Sequence, residues 1–200
     1  MKPGSTKFWL CVSALAIALP AKLVGVGAMQ ATPQAKVTRA NELTIAGFRP
    51  GRDTLAAARK KIGKALLLNE DEPNRVFLWF DICDGKGLRI EADAHGVIQS
   101  LTLSTMAPKH ECTGAPLIAS QEAGNWKTGR GLSLGDSRKQ VIALYGQPGS
   151  NGPSQEGGEP RELLYYAFDW AGSEVPQVME ISCDKATGRV VEIMLAFPSL

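Results

Sequence analysis

Histidine is scarce in this 200-residue chain, which contains only two, and its four cysteines follow no recognisable metal-binding spacing. No CxxC or HExxH pattern is present, although zinc sites depend on clustered ligands of that kind. The chain also lacks the glycine-rich loop that cradles phosphate groups. The sequence therefore predicts a protein that is not an enzyme, with no catalytic residues, no cofactor and no metal.

The densest group of potential metal ligands is the tripeptide His110, Glu111 and Cys112. A four-ligand zinc site would have to add Cys83 and His95 from distant parts of the chain. Because no motif brings these residues together, a metal site is the less favoured interpretation. Aspartates that follow aromatic strands, Asp81 and Asp169 among them, are expected to cap turns rather than to transfer protons.

Neither sign of charge dominates the sequence, which has 22 basic and 20 acidic residues. The N-terminal segment carries Lys2, Lys7 and Lys22 and no acid, so its removal leaves 19 basic and 20 acidic residues. A chain with this balance has no electrostatic basis for binding nucleic acid or an anionic membrane. We therefore expect no nucleic-acid partner.

The apolar segment FWLCVSALAIAL, residues 8–19, is the longest run of its kind near the N-terminus. It follows two lysines and ends at Pro20, well short of the ~20 residues that a membrane span requires. Small residues at 26–28 then offer a cleavage site. These features predict a signal peptide over 1–28 rather than an anchor, hence a periplasmic or secreted protein whose mature chain has no integral membrane span.

A helix with explicit start and stop signals is predicted after Gly131. Ser137 followed by Gln140 forms a capping box, and Gly146 followed by Pro148 ends the helix. The apolar residues between them fall on one helical face. Three alternating segments follow, RELLYYAFDW, QVMEISCD and RVVEIMLAF, which predict a three-stranded antiparallel meander.

The first half of the chain matches the second at a series of positions in the same order. The matched pairs are Gly47 with Gly131, Gly51 with Gly135, Asp53 with Asp136, Thr54 with Ser137, Gly63 with Gly146, Phe80–Asp81 with Phe168–Asp169, and Gly96 with Gly188. We therefore predict an α+β fold of two tandem units, each a short helix packed on a three-stranded antiparallel β-meander. The boundaries are 29–44 for a flexible N-terminus, 45–105 and 128–200 for the units, and 106–127 for a linker. The alternative is that any two α+β segments share such spacing.

The segment TGRGLSLGDSRKQVIALYGQP, followed by YYAF and a glycine-turn hairpin, resembles two known protein families. One comprises secreted β-lactamase inhibitor proteins, and the other comprises small outer-membrane lipoproteins of the β-barrel assembly machinery. The resemblance covers 45–105 and 128–197. It implies helices on a curved antiparallel sheet whose open face binds a protein. Cys11 lacks the context of a lipid-attachment site, which departs from the lipoprotein pattern.

Three cysteines remain after removal of the signal peptide, and an exported protein meets an oxidising compartment. Cys83 ends a predicted strand and Cys112 follows the third strand of the same meander. We therefore predict a Cys83–Cys112 disulfide and an unpaired Cys183. Three buried free thiols, or pairing of Cys183 between chains, are the alternatives.

The first predicted strand of each half has two faces with different expected roles. In the first half, Val76, Leu78, Phe80 and Ile82 are expected to face the helix, which leaves the neighbouring aromatic side chains on the open face. The predicted partner-binding residues are Phe77, Trp79, Tyr165, Arg89 and Glu91, aromatic anchors beside charges. A one-residue register error would exchange the faces, and the rings could instead be covered.

These observations favour an exported, non-catalytic protein-binding module that is inhibitor-like or envelope-associated. A structural accessory of outer-membrane or envelope assembly is the alternative, and a periplasmic enzyme of unrecognised type is the less favoured third interpretation.

Overall fold

The computed structural model describes residues 41–67, 75–81, 84–106, 125–155, 158–168 and 177–197. These residues form two helices and eight strands. In chain order the elements are α1 (Leu55–Ile62), β1 (Leu66–Leu67), β2 (Arg75–Asp81), β3 (Lys86–Ala92), β4 (Ile98–Thr105), α2 (Arg138–Tyr145), β5 (Ser150–Ser154), β6 (Arg161–Phe168), β7 (Gln177–Asp184) and β8 (Val190–Ala196).

Both helices begin and end at the residues that the sequence predicts. The Thr54 hydroxyl accepts from the Ala57 amide at 3.3 Å to start α1, and Ser137 accepts from Gln140 at 3.2 Å to start α2. Gly63 and Gly146 follow the last helical turns with φ of 99° and 76°, which glycine adopts without strain. Each helix has only eight residues, so it depends on packing against the sheet.

All eight strands belong to one antiparallel sheet, in the order β1-β2-β3-β4-β8-β7-β6-β5. The prediction of two units, each with its own three-stranded meander, is therefore wrong. The strands β4 and β8 pair with each other, with Leu101 opposite Leu195. This pairing satisfies two strand edges that separate meanders would leave exposed, and it extends one buried face across the molecule.

Two edge strands were missing from the sequence-based prediction. The strand β5 lies in a segment whose serine, glycine and proline residues are typical of a loop. Ser150–Ser154 nevertheless pairs with β6, and Pro153 is tolerated because β5 is at the sheet edge. The two-residue strand β1 pairs with β2 at the opposite edge.

The core lies between the two helices and one face of the sheet. Fully buried side chains alternate along each central strand, and the cluster joins Leu55 and Ala58 of α1 and Val141 of α2 to the sheet. Two ring donors fix the helix ends: the indole N–H of Trp79 donates to the Gly63 carbonyl at 3.2 Å, and the Tyr166 hydroxyl donates to the Gly146 carbonyl at 3.0 Å.

The face assignment of β2 in the sequence analysis is wrong. Phe77 and Trp79 are 1% and 0% exposed and lie on the helix side of the sheet, in the hydrophobic core. Leu78 and Phe80 consequently point to the opposite side, where they are half-buried. The helix side buries the large Trp79 ring in the core and also supplies an acceptor for its indole N–H at the end of α1.

An ion pair joins the first residue of α2 to the sheet. The Arg138 guanidinium donates to both carboxylate oxygens of Glu162, at 2.8 and 3.1 Å, and Asn151 donates to the same carboxylate at 3.1 Å. The hydrogen bond from Arg138 is the main cause that lowers the pKa of Glu162 below its ordinary value of 4.5. The folded protein therefore stabilises the ionised form of Glu162.

The variant Glu162→Gln should lower the free energy of unfolding by about 1 kcal/mol at pH 7, a modest value because both partners are partly exposed. Since the folded pKa is lowered, this contribution is present above pH 4.5 and is lost as the pH falls through the folded value. Urea unfolding from pH 7 down to pH 3.5 measures it. Glu159→Gln, at an exposed carboxylate, is the matched control. A loss that is equal at every pH would contradict this assignment.

Candidate protein-binding face

The side of the sheet that faces away from both helices is called the open face. The register of the strands places one row of residues across its centre: Leu78, Arg89, Thr102, Met194, Glu180 and Tyr165. Neighbouring strands lie about 4.8 Å apart, so adjacent members of this row are in side-chain contact range. Three of the five predicted partner-binding residues, Tyr165, Arg89 and Glu91, lie on the open face.

A shallow depression of about 270 Å³ lies on the open face, over β2, β3, β4, β7 and β8. Its apolar walls come from Leu78, Phe80 and Met194, and Met106 stands at its rim with 40% of its surface exposed. Charged side chains from β3, β7 and β8 complete the lining. The depression thus combines flexible apolar contacts with charge, a composition typical of protein interfaces.

The charged side chains of the open face include two ion pairs, Asp184 opposite Arg161 in the strand register, and Glu180. Arg89 pairs with Glu91, which also accepts from the Ser100 hydroxyl at 2.9 Å. Arg161 lies 3.7 Å from Glu192. Glu180 of β7, further along the strand that this second pair spans, has no hydrogen bond or ion pair to any residue that the structure describes.

The sequence analysis missed the residues at the middle of this face, Glu180, Met194 and Thr102 among them. A signal was available, because the apolar residues Met179 and Ile181 alternate with the polar residues Glu180 and Ser182 along β7. A prediction of anchors from aromatic residues alone does not include Glu180, Met194 or Thr102. The partner-binding role of Tyr165, Arg89 and Glu91 stays a prediction, whereas the burial of Phe77 and Trp79 removes them from the exposed surface.

A second concentration of polar groups surrounds Glu42, which is 2% exposed. Its carboxylate accepts from the amides of Leu43, Thr44, Gly129 and Arg130 at 2.8–3.0 Å and from the Tyr145 hydroxyl at 2.7 Å. This group fastens the chain preceding the first helix to the segment preceding the second. Every donor is satisfied within the protein, so the network is structural.

The hydroxyls beside Glu42 form a directed chain. Because Tyr145 donates to Glu42, the Thr128 hydroxyl, 2.7 Å from that of Tyr145, must be the donor in their shared bond. Thr128 in turn accepts from the Leu132 amide at 3.0 Å. Burial is the main cause that raises the pKa of Tyr145, so its hydroxyl keeps its proton at neutral pH.

Two short segments match nucleophile motifs in the sequence, but both belong to structural turns. Residues 131–135, GLSLG, have the spacing of the GxSxG nucleophile motif, but the Ser133 amide donates to Asp136 at 2.8 Å in the loop before α2. The loop before α1 contains no serine, yet the amide of Arg49 makes the same 2.8 Å bond to Asp53. The geometry of the turn therefore explains the spacing of the two glycines without a nucleophilic serine. Residues 182–185 match Ser-x-x-Lys across the end of β7 rather than on a helix.

The cysteines offer no reactive centre among the described residues. Cys183 is a buried free thiol, and burial raises its pKa to about 11, so it is protonated at neutral pH. The predicted Cys83–Cys112 disulfide lies outside the described residues, as do His110 and Glu111. In the described ranges, no group of three or more His, Cys, Asp or Glu side chains is placed to hold a metal ion.

Asp81 accepts from the Asp84 amide at 3.1 Å, which confirms its predicted role in capping the turn after β2. Asp169 lies outside the described residues.

Neither described helix is long and apolar enough to cross a membrane.

No family model matches this chain, and no curated protein sequence matches it. Two solved structures are similar to it. A DUF4309 family protein from Bacillus subtilis has a TM-score of 0.43 at 10% identity, covering 78% of this chain and 88% of that chain. A "putative beta-lactamase inhibitor protein" from Streptococcus mutans has a TM-score of 0.26 at 12% identity, covering 76% and 88%. The second name coincides with one of the two families that the sequence resembles, but TM-scores this low establish neither fold nor function.

Proposed function

We propose that this chain is an exported, non-catalytic protein-binding module whose partner docks on the open face. The observation that carries the proposal is the depression at the centre of that face, where Leu78, Phe80 and Met194 adjoin charged side chains. Apolar contacts at the centre with charges around them are the usual anatomy of a specific interface.

The dimensions of the open face suit a protein partner better than a small ligand. Six strands of seven or eight residues lie side by side in the sheet, from β2 to β6. At about 4.8 Å between strands and 3.3 Å per residue, they cover about 600 Å². A specific interface of standard size occupies about 800 Å² on each partner, so most of one could form here.

Export is part of the proposal and rests on the N-terminal segment. The two lysines, the apolar run of residues 8–19 and the small residues at 26–28 have the order of a signal peptide. The partner would then be another periplasmic or secreted protein, or a component of the envelope. An inhibitor-like role places the open face against an enzyme, and an envelope role places it against an assembly factor.

A capture experiment with the mature chain, residues 29–200, tests the proposal. Thr102→Arg places a long charged side chain at the centre of the open face and should reduce capture of the partner by at least about tenfold. Lys139→Glu, on the exposed surface of α2, reverses one charge, a larger change than that of Thr102→Arg, but should leave capture unchanged. The bait is incubated with the envelope and secreted fractions of its source organism, and bound proteins are quantified by mass spectrometry.

Circular dichroism must show that Thr102→Arg retains the wild-type fold. A partner that is bound equally by the wild type and by Thr102→Arg would show that binding uses another surface. Loss of capture with Lys139→Glu but not with Thr102→Arg would move the site to the helix side and overturn the proposal.

A further inference from the structure

The centre of the open face contains two polar groups that no described residue satisfies. Glu180 of β7 and Tyr165 of β6 are directly opposite in the strand register and are both half-buried. Among the described residues, neither side chain has a hydrogen-bond or ion-pair partner. Cross-strand neighbours of this kind have Cβ atoms about 5 Å apart, so one ligand group can reach both.

The neighbouring charges make this pair distinct from the rest of the face. Glu91 and Glu192 each have a basic partner, Arg89 and Arg161 respectively. Glu180 has no equivalent partner in the described structure, although it lies on a central strand. The carboxylate of Glu180 is therefore available to accept charge-assisted hydrogen bonds from a cation outside the chain.

The side chains around Glu180 favour one type of cation. Tyr165 presents an aromatic ring beside the carboxylate, and Met194, paired with Glu180 on the other side, presents an adaptable apolar chain. A guanidinium group can stack on an aromatic ring while it donates two bonds to a carboxylate, and its methylene chain needs apolar contact. A lysine ammonium satisfies the charge but makes neither the stacked nor the two-bonded contact.

Resting on the proposed function, we propose that the protein partner inserts an arginine side chain at the Glu180–Tyr165–Met194 position of the open face. Charge complementarity selects this occupant. Nucleic acids and anionic membranes present phosphate groups, which the acidic centre repels. An arginine supplied by another protein combines the charge, the planar shape and the apolar stem that these three residues accept.

The ε-methyl groups of the methionines provide a direct readout. Met194 lies on the open face, whereas Met179 is 0% exposed on the helix side of the same sheet. The mature chain is labelled with ¹³C at its methionine methyl groups and titrated with the peptide N-acetyl-Ala-Arg-Ala-amide. The Met194 signal should shift and saturate at millimolar peptide, while the Met179 signal stays in place.

Matched peptides and variants isolate the arginine contact. N-acetyl-Ala-citrulline-Ala-amide has the same shape without the charge and should bind at least about tenfold more weakly. Glu180→Gln should weaken binding of the arginine peptide by about the same factor. Tyr165→Leu should weaken this binding by about threefold, because the aromatic ring is lost. Glu159→Gln, at an exposed acid, should bind as the wild type does. Equal binding of the citrulline peptide, or wild-type binding by Glu180→Gln, would overturn the inference.

The same variants separate this inference from the proposed function. If Thr102→Arg abolishes capture of the partner but Glu180→Gln captures it fully, the open face is the docking surface and the arginine contact is wrong. If Thr102→Arg captures the partner as the wild type does, the docking surface itself is wrong, whatever the peptide titration shows.

Discussion

Replacing Glu42 with alanine should lower the free energy of unfolding by about 3 kcal/mol. The carboxylate accepts five hydrogen bonds, and its removal leaves buried donors without their acceptor. The Tyr145 hydroxyl loses its acceptor inside the core, where it is 1% exposed as a residue. Gly129 and Arg130 are exposed, so water can reach their amides when the carboxylate is removed. The loss of stability is therefore smaller than it would be if all five donors were fully buried.

Urea unfolding of the mature chain measures this loss, and two further variants test its cause. Glu42→Gln keeps the shape and one acceptor oxygen, so its loss should be about half as large. Gly129→Ala keeps the glutamate at position 42 but puts a methyl group 2.7 Å from Glu42 Oε1 and 2.6 Å from Thr44 Oγ1, so both side chains must shift. The double variant Glu42→Ala, Gly129→Ala should therefore lose less than the sum of the two.

Gly152→Ala is the matched control for the glycine substitution, since no atom lies within 4 Å of the added methyl group. It should change the free energy of unfolding by less than about 1 kcal/mol. If Glu42→Ala unfolds at the wild-type urea concentration, the carboxylate does not hold the two segments together.

Local features of the fold could be predicted because they depend on neighbouring residues. The caps of α1 and α2 are decided within four residues, so Thr54, Ser137 and the terminal glycines could be identified from sequence. The Glu42 network could not, because its acceptor and the amides of Gly129 and Arg130 are 87 and 88 residues apart in the chain.

The joining of β4 to β8 was unpredictable for a similar reason. Both strands alternate buried and half-buried residues, a pattern that edge strands and central strands share. The pattern shows that one face is buried but does not identify the neighbouring strand. The predicted meanders therefore contained correct strands, while the sheet to which they belong was wrong.

The predicted face of β2 is wrong because its sequence, RVFLWFD, has apolar residues on both sides of the strand. The match of Phe80–Asp81 with Phe168–Asp169 then fixed a register that is wrong by one residue. The hydrogen bonds show the structural correspondence: Trp79 and Tyr166 each donate to the glycine carbonyl that ends a helix. The alternation in β6 was easier to interpret, which is why Tyr165 was assigned to the correct face.

Trp79→Ala should lower the free energy of unfolding by about 4 kcal/mol, because it removes a fully buried ring from the core. The loss includes the hydrogen bond to Gly63 and the tilted contact with Phe77, whose ring centre is 6.4 Å away. Trp79→Phe should lose about half as much, since a ring remains. Thermal and urea unfolding of both variants measure the effect.

Leu78→Ala is the matched control for Trp79→Ala, because it truncates the next residue of the same strand on the open face. Leu78 is only half-buried, so the substitution should cost about 1 kcal/mol of stability and should weaken capture of the protein partner. The two variants therefore separate the two faces of β2. The opposite result would be a stable Trp79→Ala variant that fails to capture the partner and an unstable Leu78→Ala variant. That result would show that Trp79 lies on the binding face and Leu78 in the core, as the sequence analysis predicted.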